Sequence, residues 1–282
     1  MAEKTSDRTE EVAEYYDGVG ELVEVVGGNL HLGYWDDDQD DTPFLEAMSR
    51  LTWMVAERLA LRPGERLLDV GCGVAEPAMR LVERLGISVS GITVSRWEVQ
   101  QATADVARAG LSGKISISWA DAAALPFSNE EFDAALAFDS VPNSPDKQKW
   151  FGEIFRVLRP GGRVVYSEYP AIADMTAAQR EVLRANTVPD PPTSMDEAVA
   201  PAVSAGFEVL EGLDCSDRVR RFYTAFLQRF ADQRADLSAA YGKDRIDAFE
   251  SGITQMFELC REKIGYYLIV CRKPSGVGST TI

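Results

Sequence analysis

The stretch Leu67-Leu68-Asp69-Val70-Gly71-Cys72-Gly73-Val74-Ala75-Glu76-Pro77-Ala78 constrains this chain more than any other. An apolar run ends in a turn carrying two glycines, and helical spacing begins at once, with Met79, Leu81, Val82 and Leu85 on the apolar side. A glycine pair between a strand and a helix lets the backbone turn tightly and approach a ligand with no Cβ in the way. Dinucleotide sites of this kind place pyrophosphate at the helix N-terminus. Here Glu76 stands at the sixth position of the motif and puts negative charge where a phosphate would sit. The turn therefore suits a nucleotide-like ligand without phosphate. Asp69, just before it, can brace the loop or meet an ammonium group.

The same alternation continues. Strand-like runs occur at 66–70, 88–92, 115–119, 132–138 and 163–168, separated by helical stretches near 77–85, 97–109 and 147–158. Short turns join them, and Arg159-Pro160-Gly161-Gly162 stops the last of these helices. Strands alternating with helices imply an α/β fold with a mostly parallel sheet and helices on both faces. Two further strands, at 207–213 and near 264–271, bring the sheet to seven. Between them, Phe222, Phe226, Leu227 and Phe230 form one stripe of a helical stretch. The expected organisation is an N-terminal helical lid over 1–62 and a ligand-binding Rossmann-like core over 63–170. Helical cap insertions follow at 171–206 and 214–262, around the final core strands 207–213 and 263–273, and residues 274–282 form a tail.

Charge narrows the partners. The formal net charge is −16, and residues 1–65 alone hold 16 acidic and 5 basic residues. Such a surface repels phosphate backbones, so nucleic acid is not an expected partner. Asp36-Asp37-Asp38-Gln39-Asp40-Asp41 reads as a solvated loop; it lacks the glycine and distal glutamate of a calcium loop. The four cysteines form no CxxC pair and there is one histidine, so no metal site is expected. The polar, acidic start is unlike a signal peptide, and no apolar run reaches membrane-spanning length. The expectation is a cytoplasmic enzyme with a small-molecule substrate and no membrane partner. A homo-oligomer is compatible with an exposed N-terminal helix that could exchange between subunits.

Several motifs together carry a resemblance. Asp69-Val70-Gly71-Cys72-Gly73, Gly91-Ile92-Thr93-Val94-Ser95, Asp121-Ala122-Ala123-Ala124-Leu125-Pro126-Phe127 and Val157-Leu158-Arg159-Pro160-Gly161-Gly162 occur in order. With the segment Gly28–Trp35, they resemble the class I S-adenosylmethionine (SAM) dependent methyltransferases, in the branch acting on sugars, sterols, tocopherols and other specialised metabolites. The resemblance implies SAM as cofactor. It implies cofactor contacts at Asp69, Gly71, Cys72, Gly73, Thr93, Val94, Glu98, Asp121, Ala122 and Phe138. Asp69, Gly71 and Gly73 would line the methionine and ribose part, and Asp121 and Ala122 the adenine. Tyr16, His31 and Tyr34 would approach the sulfonium end from the lid. Two departures stand out: Thr93 replaces a ribose-binding carboxylate, which Glu98 could supply, and Ala75 replaces a third glycine, adding a methyl group close to the cofactor.

Methyl transfer from a sulfonium needs positioning, and a base only where the acceptor must lose a proton. Sugar O-methyltransferases of this branch commonly place paired histidines after strand four; this chain has Pro142-Asn143 there. Glu168 and Asp139, at the ends of strands five and four, are the candidate bases, with His31 a weaker one. The missing histidines favour carbon methylation slightly over oxygen methylation of an apolar small molecule. A cyclase on the same fold, holding SAM or its product as a structural ligand, is the alternative.

Overall fold

The computed structural model describes residues 2–26, 31–186 and 191–275. Parts of the expected lid segment (28–30), Pro189 and tail residues 276–282 lie outside the described residues.

The chain opens with two helices, α1 (Ala2–Val26) and α2 (Phe44–Leu59), and then enters the alternating core. That core runs β1 (Arg66–Val70), α3 (Glu76–Leu85), β2 (Ser88–Thr93), α4 (Arg96–Arg108), β3 (Ile115–Trp119) and β4 (Phe132–Ala137). It continues through α5 (Lys147–Val157), β5 (Leu158–Glu168), α6 (Ala177–Ala185), α7 (Met195–Ser204) and β6 (Glu208–Asp214). A single turn, α8 (Ser216–Val219), leads into the pair α9 (Arg221–Tyr241) and α10 (Lys243–Lys263), and β7 (Tyr267–Arg272) ends the sheet.

The sheet has seven strands in the order β3-β2-β1-β4-β5-β7-β6. β1 to β5 pair in parallel, and β7 runs antiparallel to both β5 and β6. The order reverses at β1, with β2 on one side and β4 on the other. A cleft opens beyond the carboxyl ends of the strands at such a switch point.

Local chemistry sets the element ends. Ser95 accepts a hydrogen bond from the Glu98 amide to start α4, and Asp146 accepts from the Lys149 amide to start α5. Thr176 and Gln179 form a reciprocal capping box at α6. Ala75 caps α3 in a left-handed conformation (φ +63°), which accounts for the glycine usual at this place. Its methyl group is fully buried in the core and does not line the cavity around the glycine turn, contrary to the expectation of a methyl beside the cofactor.

β5 starts earlier than the Pro-Gly-Gly sequence suggests. It includes Arg159–Gly162 because the Gly161 amide donates to the Lys273 carbonyl and the Lys273 amide to the Gly162 carbonyl. A register shift between Phe132 and Ala134 absorbs the irregularity. The acidic run 36–41 is a loop held by Arg50, which bonds the carboxylates of Asp36 and Asp40 and the Thr42 hydroxyl.

The aromatic stripe of α9 is packed as its spacing indicates. Phe222, Phe226 and Phe230 are buried, and Phe222 and Phe226 meet Phe257 of α10 with ring centroids 6.2 and 5.2 Å apart. α1 packs on both α4 and α9.

Candidate functional site

Two cavities lie at the carboxyl ends of the strands. The first, of about 1200 Å³, is built around the glycine turn. Gly71 and Gly73 have φ of +76° and +53°. A Cβ at Gly71 would overlap the Ser140 Cβ, so only glycine lets the loop after β1 pass the loop after β4. The backbone amides of Gly71 and Cys72 donate to the Ile92 carbonyl and tie the turn to β2.

The walls of this cavity bring together most of the residues that the sequence motifs single out. Asp69, Gly71, Cys72, Gly73, Thr93, Val94, Glu98, Asp121, Ala122 and Phe138 all line it, with Tyr16 and His31. Thr9, Val12 and Gly20 of α1, Trp97 of α4, and Trp150 of α5 line it as well, and sequence reasoning missed them. Gly20 faces the Trp97 ring closely enough that a Cβ would overlap it.

The charge character is one-sided. Asp69, Glu98, Asp121 and Asp139 line the cavity, and no Lys or Arg appears among the described lining residues. Burial pushes the Asp69 carboxyl up to about 7. Burial likewise pushes Glu98 up to about 7, against the Thr93 hydroxyl that donates to its Oε2 at 2.5 Å. Asp121 accepts from the Ala123 amide at 2.8 Å and so fixes the turn that carries Ala122. Buried carboxylates without basic partners suit a cationic ligand and leave a phosphate nothing to pair with. The glycine cradle, the acidic lining and the absence of a phosphate partner fit SAM, which carries an ammonium and a sulfonium.

The second cavity, of about 900 Å³, lies between α1, α9 and α10. Phe222, Tyr223, Phe226, Phe249, Met256 and Phe257 form its apolar wall. Three residues line both cavities: Tyr16, Asp139 and Asn143. They form the junction, where the Asn143 Nδ2 donates to the Tyr16 hydroxyl oxygen at 2.7 Å.

Asp139 follows β4 in a left-handed conformation (φ +56°), which aspartate tolerates better than most residues. Its Oδ1 accepts from the Ser167 hydroxyl at 2.5 Å and the Tyr266 hydroxyl at 2.8 Å; its Oδ2 accepts from the Leu32 amide at 3.2 Å. Burial raises its carboxyl above the usual range, more strongly than these donors and His31 lower it.

His31 lines the first cavity and stacks on Phe138, with centroids 4.6 Å apart. Its Nδ1 donates to the Leu32 carbonyl at 2.8 Å, and its Nε2 lies 3.1 Å from the Thr52 hydroxyl. The Leu32 carbonyl requires a proton on Nδ1, and burial lowers the imidazole pKa, favouring the neutral form.

Two expected site residues lie elsewhere. Glu168 lines neither cavity; its side chain is buried and held by the Lys147 ammonium at 2.5 Å. Only its Oε1 is engaged by that ion pair; its Oε2 is buried with no hydrogen-bond partner among the described residues. Tyr34 also lines neither cavity. Its amide bonds the Ala47 carbonyl, and its ring packs against the hydrophobic core.

Known proteins resemble this chain in both sequence and fold. Residues 67–162 match a family profile described as a methyltransferase domain. The chain is 33% identical over 268 residues to methyltransferase GfsG of Streptomyces halstedii, covering 94% of each chain. It is 32% identical over 277 residues to 27-O-demethylrifamycin SV methyltransferase of Amycolatopsis mediterranei, covering 96% of this chain and 99% of that one. Its fold superposes on the crystal structure of the [4+2]-cyclase SpnF with a TM-score of 0.83 and 32% identity, covering 95% and 97%.

Proposed function

The chain belongs to the class I SAM-dependent methyltransferases of specialised metabolism, and from that premise we propose that it methylates a hydroxyl oxygen of a neutral, largely apolar small molecule. The observation that carries this reading is the junction. A cavity that fits SAM and a cavity walled by aromatic and aliphatic side chains meet at Tyr16, Asp139 and Asn143.

In this reading Asp69 meets the ammonium end of SAM, Thr93 and Glu98 the ribose hydroxyls, and Asp121 and Ala122 the adenine. Bound SAM supplies a methyl group already activated on a sulfonium. The protein contributes position, dryness and a base. Phe222, Phe226 and Phe257 bury the body of the acceptor and exclude water. Asp139 takes the hydroxyl proton as the acceptor oxygen gains its methyl group. A carboxyl raised above its usual range is a better base than an ordinary aspartate. The missing histidines favour carbon as acceptor; a base at the junction moves the weight to oxygen. Glu168 is not retained as a base, and His31 serves as a neutral wall that fixes Phe138 and the Leu32 segment.

The likeness to a [4+2]-cyclase over nearly the whole chain favours a second reading, in which the apolar cavity folds a substrate for cyclisation. One experiment separates the two. Purified protein is incubated with methyl-labelled SAM and a panel of neutral apolar alcohols and phenols, beginning with 27-O-demethylrifamycin SV. Label in an ether product, falling by roughly 10²-fold or more in Asp139→Asn, supports the proposal. Conversion of a polyene to a ring with no label transferred supports cyclisation. Absence of SAM binding contradicts the cofactor assignment.

A further inference from the structure

Two hydroxyls stand behind Asp139, on the side away from the cavities. Ser167, near the end of β5, and Tyr266, just before β7, are both fully buried, and both donate to the same oxygen, Oδ1 of Asp139. Ser167 is engaged twice, because its oxygen also accepts from the Asp139 amide at 2.7 Å. This pair of bonds closes a ring between the side chain and backbone of Asp139 and the hydroxyl of Ser167. It holds a residue whose backbone sits in the left-handed region, where a non-glycine residue needs outside support. Tyr266 is fixed in turn by Tyr169, with ring centroids 5.5 Å apart, and Tyr169 lines the second cavity.

The consequence for the carboxylate is asymmetric. Oδ1 accepts two hydroxyl protons, which fills its capacity, while among the described residues Oδ2 accepts the Leu32 amide alone. One acceptor site therefore stays open, and it is on Oδ2. The titratable groups facing Asp139 are His31, Tyr169, Tyr223 and Tyr266, and among the described residues no Lys or Arg is one of them.

We propose that Ser167 and Tyr266 are positioning residues of the reaction, which lock Asp139 through Oδ1 so that Oδ2 is the atom presented to the acceptor proton. The inference rests on the reading of Asp139 as the base. Both hydroxyls also stabilise the charged carboxylate by donating to it, so each sets how readily Asp139 holds a proton. Neither touches the acceptor.

The test titrates Asp139 directly. Protein labelled with [4-¹³C]aspartate is followed by carboxyl ¹³C NMR against pH, with S-adenosylhomocysteine as the bound probe, and Asp139→Asn identifies the signal. Tyr266→Phe and Ser167→Ala should each move the Asp139 titration upward by about one pH unit, because each removes a donor to the charged form. Ser167→Thr, which keeps the hydroxyl, should restore the wild-type midpoint. Should Tyr266→Phe fail to fold, Ser167→Ala and Ser167→Thr carry the same prediction. A midpoint unmoved in the alanine and phenylalanine variants overturns this inference, whatever Asp139→Asn does to activity. Full methyl transfer by Asp139→Asn overturns the base reading alone.

Discussion

Asn143 donates a hydrogen bond from Nδ2 to the phenolic oxygen of Tyr16 at 2.7 Å and joins the loop after β4 to α1. The bond crosses the junction of the two cavities, so it ties α1 to the walls of both. Tyr16→Phe keeps the ring and removes the acceptor. SAM affinity, measured by calorimetry, should fall about 5-fold, the effect of one hydrogen bond of roughly 1 kcal/mol. Asn143→Ala should fall similarly, and the double variant should be little worse than either single one, since both remove the same bond. Additive losses would contradict the coupling.

Gly71 cannot carry a side chain without strain. Its φ of +76° and the overlap that any Cβ would make with Ser140 penalise every side chain there. Gly71→Ala should lower unfolding free energy by about 2 kcal/mol or more, from left-handed strain plus displacement of the Ser140 loop. Chemical denaturation checks this, and an unchanged midpoint would contradict it.

Cofactor binding should release protons. Asp69 and Glu98 are both pushed up to about 7 by burial, so the ligand-free fold favours their protonated forms. The stability they contribute is present below the ordinary carboxylate pKa near 4 and is lost as pH rises toward 7. A cation in the cavity reverses that preference by favouring the ionised forms. Calorimetry at pH 7 in buffers of different ionisation enthalpy should show about one proton released per SAM, because each group is about half protonated there. SAM should bind more weakly at pH 5.5 to 6 than at pH 8. A buffer-independent enthalpy would contradict the assignment.

Filling the second cavity should block the acceptor and spare the cofactor. Met256 of α10 is half-buried on that cavity's wall and lies outside the first. Met256→Trp should leave SAM affinity within about 2-fold and raise the acceptor KM at least about 10-fold, the size of a lost apolar subsite. Weakened SAM binding with unchanged acceptor kinetics would reverse the two cavities.

Much of this was legible in the sequence because the relevant signals are local. The glycine turn, the strand runs of 66–70 and 88–92 and the α9 stripe each state their geometry within one element. Most of the first cavity follows, because strand ends at a switch point converge by topology. The rest depends on contacts between distant segments. Ser167 and Tyr266 reach Asp139 across 28 and 127 residues, and no pattern near either one marks a hydroxyl aimed at a carboxylate. Glu168 shows the converse. It ends a core strand, as a site residue does, yet alternation along β5 turns Ser167 toward Asp139 and Glu168 toward Lys147. Tyr34 sits among lid residues in sequence, but its backbone is tied to α2, which carries the ring away from the cleft.

A crystal structure of the protein with S-adenosylhomocysteine bound would decide the cofactor and acceptor assignments together. The expected result is the adenine beside Asp121 and Ala122, the amino end at Asp69, and the sulfur at the Tyr16–Asp139–Asn143 junction, open to the aromatic cavity. A ligand bound in the glycine cradle with its sulfur turned away from that junction would contradict them.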